Sequence, residues 1–169
     1  TNLIYSGPFE YNIKNRLDYL ILGESLNIHF NEVIREELGG VYSIGAYQRA
    51  QEYPKPIYNF YITFLSDPDR QVELVQSIKK EIQNFMIGNF DDNIVLNATK
   101  QSLQDYSEEI ETNYFWLNIM SFYDWHEEPY ENVLLIKDLH NQRVKQDIVD
   151  MANKIFNTEN IMEFIQLPK

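Results

Sequence analysis

The sequence predicts an α+β domain in which helices cover one antiparallel β-sheet. The predicted order is one strand, a long helix, two strands, several helices and a closing strand, and this order is typical of that class. The chain has 169 residues, of which 44% are hydrophobic. A chain of this size and composition can bury a real core. We therefore expect residues 1–169 to form a single domain.

The first two predicted elements are a short strand and a long apolar helix. The strand spans Asn2 to Ser6 and ends at Gly7-Pro8. The helix spans about Ile13 to Leu38, and its apolar residues cover most of its circumference, which predicts burial on more than one side. One apolar stripe recurs at spacings of three and four: Tyr19, Leu22, Leu26, Phe30 and Val33. Gly39 suits the left-handed position that ends a helix.

Two strands and a capped helix follow. The strands span Val41 to Arg49 and Ile57 to Leu65, and the prolines between them predict an antiparallel pair with a longer connection. Asp67 is predicted to be the N-cap of the next helix, with Pro68 in its first turn. Gly88 is predicted to end this helix.

The rest of the chain is predicted to be helical as far as a final strand. The helices are Asp92 to Tyr106, Asn113 to Trp125, Asn132 to Leu139, and Arg143 to Phe156. The final strand spans Ile161 to Leu167 and is terminated by Pro168.

Composition excludes several classes of function. The formal net charge is −12 and the basic residues are scattered, which argues against nucleic-acid or anionic-membrane binding. Cysteine is absent, so disulfides and thiolate catalysis are excluded. No window approaches the ~18 apolar residues that a transmembrane helix needs. The chain begins at Thr1 without a signal peptide, so we expect it to be a piece of a longer protein.

The histidines do not predict a metal site. His29 and Glu32 form H-x-x-E, but Val33 stands where a zinc hydrolase would have its second histidine. His126 lies in an acidic turn, and His140 is isolated. We expect no metal ligands in this chain.

Arg35 and Tyr42 are the strongest candidates for chemistry. An arginine in the last turn of a helix and a tyrosine at the start of a strand flank Gly39-Gly40, which can turn both side chains toward one place. A guanidinium and a phenol together can hold a peptide carbonyl and the charge that grows on it. The alternative is that Arg35 complements the helix dipole and Tyr42 reflects ordinary strand propensity. The residues alone leave both interpretations open.

The stretch from Ile34 to Ser43 resembles the C-terminal, non-zinc domain of the pitrilysin/insulinase family of zinc metallopeptidases, the inverzincins. In that domain a long helix ends in Arg-Glu, and glycine and then Tyr-Ser follow. Further resemblances occur at Ile4–Phe9, Ser66–Pro68, Asn113–Leu117, Val144–Ile148 and Leu167-Pro168. The variety most resembled is the long bacterial type with two homologous halves.

This resemblance implies a LuxS/processing-peptidase-like metallopeptidase fold, repeated in domains that close around an unfolded peptide. Zinc is expected in the full-length enzyme, bound by an H-x-x-E-H that this chain lacks, and no cofactor is expected here. Tyr42 would be the catalytic donor to the oxyanion, and both Arg35 and Tyr42 would bind substrate. The chain alone is not expected to hydrolyse peptides.

The leading hypothesis is therefore a substrate-enclosing C-terminal domain of a zinc metallopeptidase. The alternative is a non-catalytic scaffold or assembly domain of the same fold, although retention of both Arg35 and Tyr42 argues against it. The expected partners are other domains of the same polypeptide and a peptide substrate, with self-association when the domain is excised. The sequence leaves the compartment open. Because relatives of the long type are often exported, we expect a periplasmic or membrane-associated bacterial protein.

Overall fold

The computed structural model describes residues 1–167 and contains a four-stranded antiparallel sheet with helices packed against it. The strand order is β2-β3-β1-β4, so β2 and β4 form the edges. The strands are β1 Asn2–Pro8, β2 Val41–Gln51, β3 Ile57–Ser66 and β4 Ile161–Phe164. The predicted α+β class is confirmed.

The helices follow the predicted order, with several shifted ends. They are α1 Ile13–Phe30, α2 Gln71–Met86, α3 Asp92–Glu109, α4 Asn113–Trp125, α5 Asn132–Asn141 and α6 Lys145–Phe156. Side-chain caps fix three of the starts. Asn12, Asp91 and Thr112 accept hydrogen bonds from the first-turn amides of α1, α3 and α4. None of the described helices is both long enough and apolar enough to cross a bilayer.

α1 packs on the sheet through its apolar stripe, and polar side chains of α1 add hydrogen bonds to the strands. The Tyr19 hydroxyl donates to the Asn59 carbonyl oxygen in β3 at 2.8 Å. Asn27 donates from its amide nitrogen to the Ala46 carbonyl oxygen at 2.9 Å and accepts from the Ala46 N–H at 2.6 Å. Asn27 thus satisfies backbone groups of an edge strand. The two Asn27 bonds hold the C-terminal half of α1 beside β2.

Several predicted boundaries are wrong. β1, β2, α3 and α5 each run two or three residues beyond their predicted ends. The long helix is α-helical only to Phe30, and Asn31–Glu37 continue as a π-helix. Asp67 occupies the predicted N-cap position with Pro68 in the first turn, but that turn is a 3₁₀ helix, Pro68–Arg70, and the Asp67 side chain makes no capping hydrogen bond. The α-helix itself begins only at Gln71. The last helix begins two residues late because Asp147 accepts the Val144 N–H. β4 ends at Phe164, three residues early, and Pro168 lies outside the described residues.

A buried ion pair joins α1 to the segment before α6. Asp18 Oδ1 lies 2.8 Å from Arg143 Nη1, and only 3% and 4% of the two side chains are exposed. Lys14 donates to the other carboxylate oxygen at 2.7 Å. The Arg143 Nε also donates to the Leu139 carbonyl oxygen. Both buried charged groups therefore have an ion-pair partner and at least one further hydrogen bond, which offsets the cost of burying charge.

Candidate functional site

Arg35 lies in the π-helical extension of α1. The i→i−5 hydrogen bond that defines this geometry joins the Leu38 N–H to the Val33 carbonyl oxygen at 3.1 Å. Short π-helical segments are rare and occur often at functional sites. The Arg35 side chain is exposed, and its nearest polar partner is Asn31 Oδ1 at 3.5 Å. No carboxylate of residues 1–167 forms an ion pair with it, so the guanidinium is available to a ligand.

Tyr42 is the extra residue of a β-bulge. Val41 pairs with Ser66 and Ser43 pairs with Leu65, so Tyr42 has no partner across the ladder. Without the bulge, the alternation of β2 would not allow Tyr42 and Ser43 both to be exposed between buried Val41 and Ile44. Bulges re-aim side chains and are common next to active sites. This bulge turns the Tyr42 ring outward, with 67% of the residue exposed.

The Tyr42 hydroxyl is not engaged in a strong hydrogen bond. Its nearest polar atom is Asp67 Oδ1 at 3.4 Å, which is a long distance for two oxygens. The ring borders a cavity that is also lined by Thr1, Leu65 and Gln71. The phenol therefore has a proton to donate and an open space to donate it into.

Two glycines with positive φ connect Arg35 to Tyr42. Gly39 has φ +58° and Gly40 has φ +100°, and L side chains rarely adopt these conformations. The Arg70 guanidinium lies over this turn and donates to the Gly39 carbonyl oxygen at 2.8 Å. A Cβ at Gly40 would collide with Arg70 Nη1. Arg70 in turn pairs with Glu73 at 2.9 Å, which raises the pKa of the guanidinium and lowers that of the carboxyl.

The structure thus places the two predicted site residues on either side of one fixed turn, both exposed. No hydrogen bond joins Arg35 to Tyr42, and their roles stay predictions. Sequence analysis missed Arg70, which fixes the turn from 31 positions away. In the sequence, Arg70 is marked only by its position shortly after Asp67-Pro68. That position does not indicate a contact with Gly39.

The three histidines have three different partners. His29 Nε2 lies 2.8 Å from Glu81, His126 Nδ1 lies 2.6 Å from Glu52, and His140 Nε2 lies 2.9 Å from Ser102. Within residues 1–167, no three His, Cys, Asp or Glu side chains are grouped so that they could hold a metal ion. The residues that the structure describes do not fit a zinc site.

Comparison with protein families decides the relationship. A model described as the peptidase M16 inactive domain matches residues 11–103, more than half of the chain. This chain belongs to the peptidase M16 family. The predicted relationship to the zinc-dependent pitrilysin-type metallopeptidases is thereby confirmed, and the chain corresponds to their inactive C-terminal domain. No curated protein is a significant match.

Solved structures share the fold of this M16 domain. The periplasmic protease PqqL from Escherichia coli superposes with a TM-score of 0.77 at 12% identity, over 92% of this chain and 17% of PqqL. The inactive peptidase domain assigned to a zinc protease of Bordetella parapertussis superposes with a TM-score of 0.75 at 11% identity, over 99% of this chain and 89% of that domain's chain. A peptidase M16 inactive domain from Pseudomonas fluorescens superposes with a TM-score of 0.73 at 11% identity, over 95% of this chain and 39% of the Pseudomonas chain. Some relatives are thus much longer than this M16 domain, and identities this low show the fold alone.

The two-glycine turn makes a testable prediction about stability. Gly40→Ala is expected to lower the free energy of unfolding by about 1–3 kcal/mol, because alanine is strained at this φ, and it also displaces Arg70 from the turn. Gly39→Asn is the matched control, because asparagine tolerates a left-handed φ and nothing lies within 4 Å of the added Cβ. Urea unfolding measures both variants. A Gly40→Ala variant as stable as Gly39→Asn would contradict both the expected strain at Gly40 and the role of the Arg70 contact.

Proposed function

We propose that this M16 domain is the substrate-holding half of the active site of a longer zinc metallopeptidase. In this proposal Tyr42 donates its phenol proton to the oxyanion that forms at the scissile carbonyl. Arg35 holds a neighbouring carbonyl of the peptide with its guanidinium. Donors aimed at a developing charge give the largest single contribution in many enzymes.

The observation that carries the proposal is the irregular backbone on both sides of the turn. A π-helical segment presents Arg35, a β-bulge presents Tyr42, and two glycines with positive φ join them. Such features cost stability and persist where the surrounding structure fixes them, often at functional sites. Glycine with positive φ is common where a helix ends, but a turn whose only role is to connect a helix to a strand needs neither the π-helical segment nor the bulge.

Two further observations support a role within a longer protein. Large apolar side chains of α4 are exposed, among them Tyr114, Leu117 and Trp125, and patches of this kind mark interaction surfaces. The M16 domain also spans only 17% of the PqqL chain. We therefore propose that the other domains of the same polypeptide close the chamber and that one of them carries the zinc. PqqL is described as periplasmic, and we propose export for the present protein as well.

The proposal is tested by comparing this chain alone with the longer polypeptide that contains it. An unfolded fluorogenic peptide is incubated with each, with added zinc and with a chelator. We expect hydrolysis by the longer protein, loss of that hydrolysis with the chelator, and none by the chain alone. Zinc-dependent hydrolysis by the chain alone would contradict the proposal, and so would a longer protein without peptidase activity, which would favour the scaffold role.

A further inference from the structure

A groove between α1, α3, α4 and α5 is separate from the Arg35–Tyr42 turn. It consists of two adjoining cavities of about 410 and 440 Å³, which share Glu109, Ile119 and Phe122. We call it the α3–α4 groove. Leu20, which lines it, precedes Arg35 by fifteen residues, which is roughly 20 Å along a helix. Its volume lies in the range of about 300–1,000 Å³ that small-ligand sites occupy.

Three helices provide apolar walls to the larger cavity. The side chains are Leu17 and Leu20 of α1, Ile119 and Phe122 of α4, and Ile136 and Leu139 of α5. Only Leu17 among these is fully buried, so the walls present apolar surface to the space between the helices. The transfer of an apolar group from water to such a surface is favourable. These walls therefore suit the apolar body of a ligand.

Carboxylates stand at one side of this cavity without a compensating cation. They belong to Glu24 of α1 and to Asp105 and Glu109 of α3. Asp105 accepts a hydrogen bond from the neutral Gln101 amide, and no Lys, Arg or His of residues 1–167 forms an ion pair with any of the three. Burial, and then the charge of Asp105, raise the pKa of Glu24. Glu24, which is partly buried, and Asp105, which is exposed, thus repel one another, and a cation between them would relieve that repulsion.

The one arginine at the groove is already neutralised. Arg16 forms a bidentate pair with Glu128, with Nη2 at 2.8 Å from Oε2. This pairing holds the pKa of Glu128 below its usual value. The guanidinium also lies over the rings of Tyr11 and Phe122, at 4.8 and 4.9 Å from their centroids. An anionic ligand would therefore find no free positive charge here.

The buried polar pair at the base of the groove is also satisfied. His140 donates from Nδ1 to the Ile136 carbonyl oxygen at 2.7 Å, and the Ser102 hydroxyl lies 2.9 Å from Nε2. With Nδ1 donating to the carbonyl oxygen, Nε2 and the Ser102 hydroxyl bond to each other. The groove therefore has apolar walls, a satisfied polar base and an unneutralised acidic side.

We propose that the α3–α4 groove binds a small organic cation with an apolar body, such as an arylalkyl or alkyl amine. The ammonium group lies between Glu24 and Asp105, and the apolar body packs against Leu20, Ile119 and Phe122. This site is independent of the roles proposed for Arg35 and Tyr42, because it shares no residue with the Arg35–Tyr42 turn, although its smaller cavity includes Tyr114 of the exposed α4 surface.

Three probes of matched shape test the charge requirement: phenylbutylammonium, the neutral phenylbutanol and the anionic phenylbutanoate. Each is titrated into the whole chain at neutral pH while amide proton–nitrogen NMR spectra are recorded. We expect saturable shifts in α1, α3 and α4 with the ammonium probe, and affinity about tenfold lower for the alcohol. Titration with the phenylbutanoate probe is expected to give no saturable shifts. Equal affinity for the three probes, or no saturable shift with the ammonium probe, would overturn the proposal.

Matched variants test the residues. Glu24→Gln and Asp105→Asn keep side-chain size. Each is expected to lower the affinity for the ammonium probe about five- to tenfold and to leave the affinity for the alcohol unchanged. Glu36→Gln, an exposed glutamate of the π-helical segment, is the control and should change neither affinity. Both test residues are at least partly exposed, so the variants are expected to fold, which thermal unfolding verifies. Unchanged ammonium affinity in both folded variants would overturn the assignment.

Discussion

Replacement of Tyr42 by phenylalanine in the longer peptidase is expected to lower kcat/KM for an unfolded peptide by ~10²–10³-fold. The change removes one hydroxyl and leaves the ring, which is 67% exposed and packs little. The bulge and the two-glycine turn do not depend on the hydroxyl, whose nearest polar atom lies 3.4 Å away. Loss of activity would therefore report the missing donor rather than a changed fold. The measurement is steady-state kinetics beside the thermal unfolding midpoint.

The control for this substitution is Tyr47→Phe. Tyr47 lies on the same strand, is 61% exposed and does not occupy the bulge. We expect this control to leave both kcat/KM and stability unchanged. If Tyr42→Phe and Tyr47→Phe are equally active, the phenol of Tyr42 has no role in the chemistry.

Replacement of Asp18 by asparagine is expected to lower the free energy of unfolding by about 3–5 kcal/mol. Asparagine keeps the size of the side chain, so the loss comes from charge and not from a cavity. The Arg143 guanidinium, of which 4% is exposed, would remain buried without its counter-ion. Lys14 would lose its nearer partner but is half-exposed and can be hydrated. Urea unfolding measures the change.

Two comparisons separate the ion pair from other effects. Asp150→Asn alters an exposed aspartate of α6 and should change stability by no more than about 0.5 kcal/mol. The double variant Asp18→Leu/Arg143→Met replaces both buried charges by apolar groups and should be clearly more stable than Asp18→Asn. A single variant as stable as Asp150→Asn would mean that the pair contributes little.

The sequence predicted the regular elements because their patterns are local. Alternation in β3 and the apolar stripe of α1 are both visible without a structure, and each gave an element close to its observed place. The ends were less predictable, because residue type alone does not say which turn geometry or capping bond forms there. Asp67 has the residue type and position of an N-cap, but its side chain caps nothing in the 3₁₀ turn. The shift at the start of α6 accompanies the hydrogen bond that the Val144 N–H donates to the Asp147 carboxylate.

The candidate site was only half predictable, because long-range packing shapes it. The spacing of Arg35 and Tyr42 around two glycines is a local signal. The π-helix, the bulge and the Arg70 contact depend on how α1, β2 and β3 pack together. Arg70 reaches Gly39 across 31 positions. The α3–α4 groove is still less visible, since its residues come from four helices that no sequence motif connects.

A double-mutant cycle of Arg35→Ala and Tyr42→Phe in the longer peptidase tests the central claim most directly. If both side chains act on one bound peptide, the effects on kcat/KM will not be additive, and the coupling should exceed about 0.5 kcal/mol. As the control, Arg49→Ala replaces an exposed arginine of β2 that lies outside the proposed site, and it should show no coupling to Tyr42→Phe. Strictly additive effects, or two single variants with unchanged kcat/KM, would contradict the claim that Arg35 and Tyr42 form half of an active site.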